Sequence, residues 1–325
     1  MTARRDLYLG VEIGATKQQL ALCDALGELL CIVSEKVPLP NGATDVQGWL
    51  RKQIPPLIAR QTEFGGRVRA VGAGFGGVLE SSTGRICISV QVPGWQDFPL
   101  QEWLQRSFGL PALVANDTVA GGYAELCRGA GVDARHFFYS NIGSGIGGAL
   151  FLDREPYDGL GRGAAYLGHT YVPDWTATTP GRENKLENLC SGWSIERRLR
   201  RPGYVPAAST LMEMCGGDVG ALSCAMLGEA ARRGDAFAAA EIERIALSYA
   251  IALSNLITLV SPDMVAVGGG VANLGEVLLE PIRRFTDQRV FISAQGAYRI
   301  VACTFMDAAV PIGAALLARD RCRDA

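Results

Sequence analysis

Glu12 and Lys17 stand five residues apart in LYLGVEIGATKQQLALCD, an acid and an ammonium on either side of a Gly-Ala-Thr turn. Backbone amides around Gly14 and Ala15, the Thr16 hydroxyl and the Lys17 ammonium can face phosphate oxygens, while Glu12 offers a carboxylate to a metal ion or its water. Apolar runs at 7–11 and 18–23 read as strands, so the turn is the tip of a β-hairpin where Gly14 lets another group approach the backbone. A plain tight hairpin with a lysine on its rim has the same pattern, and this stretch alone does not separate the two.

A second chemical feature is Asp117, in the Ala-Asn-Asp step at 115–117 that ends a predicted strand at 113–115. A carboxylate there can take a proton from an attacking hydroxyl, and Asn116 beside it can hydrogen-bond a substrate. The alternative is that Asp117 only caps the small-residue helix predicted over 119–128. GAGFGG at 72–77 and GSGIGG at 143–148 both satisfy G-x-G-x-x-G. The dinucleotide fingerprint needs a helix directly after the glycines, whereas 78–80 and 149–152 read as strand. Residues 10–17 lack Walker spacing, and the protein-kinase catalytic-loop and metal-binding motifs are absent. What remains is a phosphate site made by two hairpin turns, one per half of the chain, with a base between them in sequence. Phosphoryl transfer suits that arrangement, because its catalysis is mostly positioning and charge neutralisation.

The elements that would hold these residues form two similar α/β halves. Strands at 7–11, 18–23 and 29–33, a helix at 46–60 despite Pro55 and Pro56, strands at 68–72 and 84–89, a helix at 100–108, the 113–115 strand and the 119–128 helix make the first. A strand at 137–142, the glycine turn at 143–148 and a return strand at 149–152 open the second. Helices follow at about 193–200, 218–232 and 236–260, the last with Ile242, Ile245, Tyr249, Leu253 and Leu256 at helical spacing. A strand at 264–267 runs into Gly268, Gly269 and Gly270, followed by a helix at 274–285, a strand at 299–305 and a final helix at 308–319. The expected fold class is α/β, two domains flanking a cleft lined by glycine turns.

Bulk properties agree with an ordinary globular protein. With 325 residues there is room for two domains, and 48% apolar with 20% charged residues excludes a disordered chain. A net charge of −2 gives no reason to expect nucleic acid or an anionic membrane as partner. The start, MTARRDLYLGVE, meets charge too early for a signal peptide, and no apolar run stands out as a membrane span, so a cytoplasmic protein is expected. The nine cysteines are scattered and no CxxC occurs, which points to free thiols rather than a metal knuckle.

Taken together these segments resemble the ROK family of sugar kinases and repressors, a branch of the actin-like ATPase superfamily. GVEIGATK is similar to its first phosphate motif, GAGFGG and VPGW to the segments near the sugar, and LPALVANDTVAGGYAELCRGAG to the stretch carrying the catalytic Asp, here Asp117. NIGSGIGGALF is similar to the second phosphate loop, GRGAAYLGH to the sugar-binding Gly-His segment, and SPDMVAVGGGVA to the turn near the adenosine. The resemblance implies two actin-like (ribonuclease H-like) α/β domains, 1–118 and 119–325, with the terminal helix at about 308–325 packing back on the first. It implies an ATP- and Mg-dependent kinase acting on a hexose or related polyol, with Asp117 as base and Glu12 positioning Mg through water. Gly14, Thr16, Lys17, Gly143, Ser144 and Gly145 would hold phosphates, and Gly269 and Gly270 would approach the adenosine. Gly77, Gln91, Asn116, Tyr166, His169 and Glu187 would meet the sugar. A homodimer is expected by analogy.

Three departures bear on the acceptor. The family usually has Glu-x-Gly-His where this chain has Tyr166-Leu167-Gly168-His169, and a neutral Tyr cannot serve as an anionic acceptor. The cysteine-rich zinc motif that usually follows is replaced by VPDWTATTPGRENKLENLCSGW, with a single Cys, so no zinc site is expected. Gln91 and Gly76 stand where Asn and Pro are common. A transcriptional repressor is disfavoured, because only six residues precede Leu7 and the chain is not basic. A catalytically weak sugar- and nucleotide-binding regulatory protein is the remaining alternative.

Overall fold

The computed structural model describes residues 5–14, 17–89 and 92–322. In chain order its elements are β1 (Arg5–Ile13), β2 (Gln18–Asp24), β3 (Leu29–Glu35), α1 (Ala43–Ala59), β4 (Gly66–Phe75), β5 (Val78–Glu80), β6 (Arg85–Ile88), α2 (Leu100–Phe108), β7 (Ala112–Asn116) and α3 (Asp117–Arg128). Then follow β8 (Phe137–Ile142), β9 (Ile146–Leu152), β10 (Glu155–Tyr157), β11 (Tyr171–Pro173), β12 (Glu183–Lys185), α4 (Leu186–Cys190), α5 (Gly192–Leu199), α6 (Thr210–Met214) and α7 (Cys224–Arg232). Helix α8 (Ala236–Val260), β13 (Met264–Gly268), α9 (Glu276–Asp287), β14 (Arg299–Ala302) and α10 (Ala309–Arg321) complete the chain. They divide into two compact units, one made of Met1–Asp133, Ala149–Ala164 and Asp307–Ala325, the other of Ala134–Gly148 and Ala165–Met306.

In the first unit the sheet order is β3-β2-β1-β4-β7. Strand β1 is antiparallel to β2, from Leu7 opposite Asp24 to Ile13 opposite Gln18, and parallel to β4 on its other edge. Strands β4 and β7 are also parallel, which the intervening helices make possible as crossovers. Both central strands are almost wholly buried, and Leu7, Leu9, Val11, Leu20 and Leu22 join Leu50, Ile54 and Leu104 in one core. Helix α10 lies directly on this sheet. A methyl group on Gly10 would fall 1.7 Å from the Pro311 carbonyl oxygen, on Gly72 1.8 Å from that of Ala314, and on Gly313 1.7 Å from that of Ala120. Helix backbone therefore touches strand backbone and α3 without intervening side chains, and the approach carries Asp307, just ahead of α10, toward the tip of β1.

In the second unit β13 runs parallel to both β8 and β14, with Met264 opposite Phe137 and Arg299. Strand β9 leaves this unit after Gly148, and its far half pairs antiparallel with β10 in the first. Helix α8 is long and apolar enough, by length and a mean hydropathy of 1.3 over its best window, to cross a membrane, which the sequence did not suggest. Its apolar residues Ile242, Ile245, Tyr249, Leu253 and Ile257 are buried within the unit instead.

Local chemistry shifts several expected boundaries. The single helix expected over 218–232 is broken, because Asp218 caps a short 3-10 turn at Val219–Ala221 and the Ser223 hydroxyl, accepting from the Met226 amide, starts α7 afresh. Gly275, at φ 68°, likewise separates a 3-10 turn at Gly270–Leu274 from α9. The strand expected over 299–305 stops at Ala302. The short elements β11, β12, α4 and α6, three to five residues each, have no periodic signal in the sequence.

Candidate active site

In the first unit, parallel pairing places Glu12 opposite Gly74 and Asn116 opposite Phe75, so β1, β4 and β7 end together. Asp117 opens α3 at that edge. The helix cap is Asn116 rather than Asp117: its Oδ1 accepts the Thr118 amide at 3.0 Å, and its Nδ2 donates to the Gly77 carbonyl at 3.1 Å. Asp117 Oδ1 also accepts the Thr118 amide, at 2.8 Å. Burial pushes the Asp117 carboxyl up to about 6, against the pull of the Thr118 and Asp117 amides. Glu12 is pushed up to about 7, mainly by burial and further by the charges of Asp117 and Asp307, with Lys17 acting in the opposite sense. One Glu12 oxygen is buried without a hydrogen-bond partner among the described residues. A cation at that oxygen would relieve both the desolvation and the mutual repulsion. Gly14 accepts from Gln18 Nε2 through its carbonyl at 2.8 Å. Ala15, Thr16 and Gln91, assigned roles from the sequence, lie outside the described residues.

The VPGW segment ends in a core residue. Trp95 is fully buried, edge-on to Phe75 at 5.4 Å and to Phe98 at 5.2 Å, and so anchors the loop after β6 to the core.

In the second unit the turn after β8 is closed by the Gly143 amide donating to the Gly145 carbonyl at 2.9 Å, with Ser144 exposed at its tip. Glu187, on the first turn of α4, accepts the Ile146 amide at 2.7 Å, and its carboxylate would lie 2.5 Å from a methyl group on Gly145. Gly192, opening α5, donates its amide to the Gly143 carbonyl at 2.8 Å. Gly269 has φ 86°, and a methyl group there would meet the Ile142 backbone at 2.7 Å, so the second glycine turn packs on the end of β8. Beside Gly270 there is open space. Gly143, Ser144, Gly145, Glu187, Gly269 and Gly270 therefore belong to one neighbourhood.

Tyr166 and His169 are the two ends of one short turn, their rings 6.4 Å apart and edge-on. His169 Nδ1 lies 3.3 Å from Lys185 Nζ. An ammonium only donates, so this contact needs Nδ1 as its acceptor. The loop between β11 and β12 is fastened by Trp175, whose Nε1 donates to Ser248 Oγ at 3.0 Å and whose ring lies 4.6 Å from the Arg198 guanidinium. Arg198 in turn forms a fully buried pair with Glu241 at 2.6 Å, and Glu241 accepts from Tyr204. Among the described residues no three His, Cys, Asp or Glu side chains are grouped to hold a metal ion.

The sequence pattern of the ROK family matches residues 8–321. The chain belongs to the ROK family. A glucokinase from Thermotoga maritima is 29% identical over 314 residues, 96% of this chain and 97% of that protein. The solved ROK family glucokinase from Streptomyces griseus, in complex with glucose and AMPPNP, superposes with a TM-score of 0.79 at 27% identity, covering 97% of this chain and 99% of that one. A xylose repressor from Caldicellulosiruptor bescii is 23% identical over 309 residues, 94% of this chain and 76% of that protein. The fold is thus the actin-like one of ROK sugar kinases, and the chain is a ROK sugar kinase at the level of the family.

Within this ROK chain, three residues had no signal in the sequence. Lys185 reaches His169 only because β12 pairs Lys185 with Tyr171. Asp307 acts on Glu12 across 295 positions of sequence, a proximity created by the glycine contacts of α10. Trp193 is an exposed aromatic in the first turn of α5.

Proposed function

We propose that this ROK kinase transfers the γ-phosphoryl group of ATP directly to a hydroxyl of a hexose or related polyol, with Asp117 as general base. The hydroxyl proton passes to the Asp117 carboxylate, the hydroxyl oxygen bonds to phosphorus, and ADP leaves. What carries this reading is the place of Asp117, half-buried where β7 meets α3 and where β1 and β4 also end, with a carboxyl that desolvation raises to about 6. A base of that strength is ionised at neutral pH yet basic enough to accept a proton in the transition state. Glu12 would hold Mg²⁺ through water, where its buried oxygen, unpartnered among the described residues, fits a cation; the ion would supply charge neutralisation on the phosphates.

The remaining roles follow from the two neighbourhoods. Gly14, Thr16 and Lys17 would meet phosphate oxygens, as would Gly143, Ser144 and Gly145. Gly269 and Gly270 would approach the adenosine. Gly77, Gln91, Asn116, Tyr166, His169 and Glu187 would contact the sugar, with Asn116 also fixing the Gly77 carbonyl. The two glucokinase relatives support a hexose as acceptor, and Tyr166 leaves the identity of the hydroxyls to be read without one acid. A homodimer is proposed by analogy with the family.

Asp117→Ala should lower turnover by about 10² to 10⁴, the usual scale for a general base, while ATP affinity stays within a few-fold. Near-normal turnover in that variant would remove Asp117 from the role. The xylose repressor similarity favours a second reading, a weakly catalytic sugar- and nucleotide-binding regulator. That reading expects sugar binding without ADP release.

A further inference from the structure

We propose that Trp193, braced by Arg197, is the platform on which the purine ring of the nucleotide stacks. The inference rests on the assignment of Gly269 and Gly270 to the adenosine and deepens it, by naming what holds the base.

Trp193 follows Gly192 directly. The Gly192 amide is bonded to the Gly143 carbonyl at 2.8 Å, and a methyl group on Gly192 would sit 3.2 Å from Val271 Cγ2. The first turn of α5 therefore touches both the phosphate turn and the adenosine turn. Helix α5 buries Ser194, Ile195, Arg198 and Leu199, and leaves Trp193 58% exposed. The fold does not need an indole there, since the inner face already supplies the packing, and an exposed ring of this size costs hydration free energy.

The ring is also held in one orientation. Arg197, one helical turn on, places its guanidinium 4.3 Å from the indole centroid. One face of the indole meets the cation, and with 58% of the residue exposed the ring has surface left to offer a flat aromatic ligand. On the same side of α5, Glu196 Oε1 accepts the amide of Cys224 at the start of α7. Gly228 of α7 packs against Leu274, at the end of the turn that begins at Gly270. Helix α5, α7 and the adenosine turn are thus tied into one wall, and Gly270 opens onto free space beside it. Stacking reads the face of a base and not its edges, so the platform adds affinity for any purine nucleotide without separating adenine from guanine.

The test compares ligands with and without a base on the full chain. By titration calorimetry, Trp193→Ala should weaken ATP and GTP binding alike by roughly 5- to 100-fold, the scale of one base stacked on one aromatic ring. Inorganic tripolyphosphate, which carries the phosphates alone, should bind within about twofold of its wild-type affinity, and Trp193→Phe should retain most of the ATP affinity. Unchanged ATP binding in Trp193→Ala overturns the proposal. So does an equal loss for ATP and tripolyphosphate, which would mean that the phosphate turn had been disturbed. If the wild-type chain binds tripolyphosphate as tightly as ATP, the base gains nothing from the protein and the platform is wrong while the phosphate assignment stands. If it binds neither, the donor-site assignment itself fails.

Discussion

Replacing Asp117 by Asn should make the protein less active and more stable, and the gain in stability should depend on pH in a defined way. The carboxyl rises from 3.8 to about 6 on folding, because burial disfavours the anion. Folding therefore takes up a proton between those values, and the folded state loses stability as pH rises through that window. Above pH 6 the full cost is present: about 2 units at 1.36 kcal/mol each, or about 3 kcal/mol. Asn has nearly the same shape, cannot ionise, and keeps an oxygen to accept the Thr118 amide now bonded at 2.8 Å. For a unit of 150 to 250 residues, about 3 kcal/mol corresponds to a rise in Tm of roughly 6 to 12 °C as an upper bound. Differential scanning fluorimetry of both proteins from pH 4 to pH 8.5 should show the difference growing with pH and levelling off above about 6. A difference that is flat with pH, or a variant less stable than wild type at pH 8, would refute the reasoning, because the carboxylate would then bear no burial cost.

Glu12 sits at about 7 chiefly through burial and the charges of Asp117 and Asp307, so MgADP affinity should fall as pH drops from 8 to 6, by up to about tenfold per unit below 7. Calorimetry should find that Glu12→Gln abolishes this pH dependence and binds weakly throughout. Lys185→Ala frees the His169 ring from its 3.3 Å contact and should raise the KM for sugar by about 3- to 10-fold with the KM for ATP unchanged, the scale of one ordinary hydrogen bond; steady-state kinetics with each substrate varied would show it. Gly313→Ala puts a methyl group 1.7 Å from the Ala120 carbonyl oxygen, which forces α10 off α3 and should cost more than about 3 kcal/mol, read as a collapse of the circular-dichroism melting temperature.

Much of the first unit is legible because its signals are local. Strands β1 and β2 announce themselves as apolar runs around one turn, and α2 coincides with its amphipathic stretch Leu100–Phe108. The strand end before Asp117 is legible in the sequence, although only the structure shows that Asn116, and not Asp117, is the cap of α3. What escapes is set by contacts distant in sequence. Asp307 near Glu12 depends on glycines that let α10 lie on the sheet, and a glycine in a list of forty carries no sign of which backbone it meets. Segment 171–190 is illegible for another reason. Its elements are three to five residues long, too short for any period to show, although Val172, Leu186, Leu189 and Cys190 are buried and Trp175 lies against Arg198. The VPGW motif shows the reverse case, in which a conspicuous Trp is a core anchor.

The central claim is that this chain moves phosphate from ATP to a sugar hydroxyl through Asp117. Coupled ADP release across hexoses, amino sugars, N-acetyl sugars and cyclitols, with the phosphorylated product confirmed by phosphorus NMR, tests it most directly. The account predicts sugar-dependent ADP release with at least one hexose or close relative, and its loss by about 10² or more in Asp117→Asn. Silence across the whole panel from a chain that binds ATP, or turnover that survives Asp117→Asn, would contradict it.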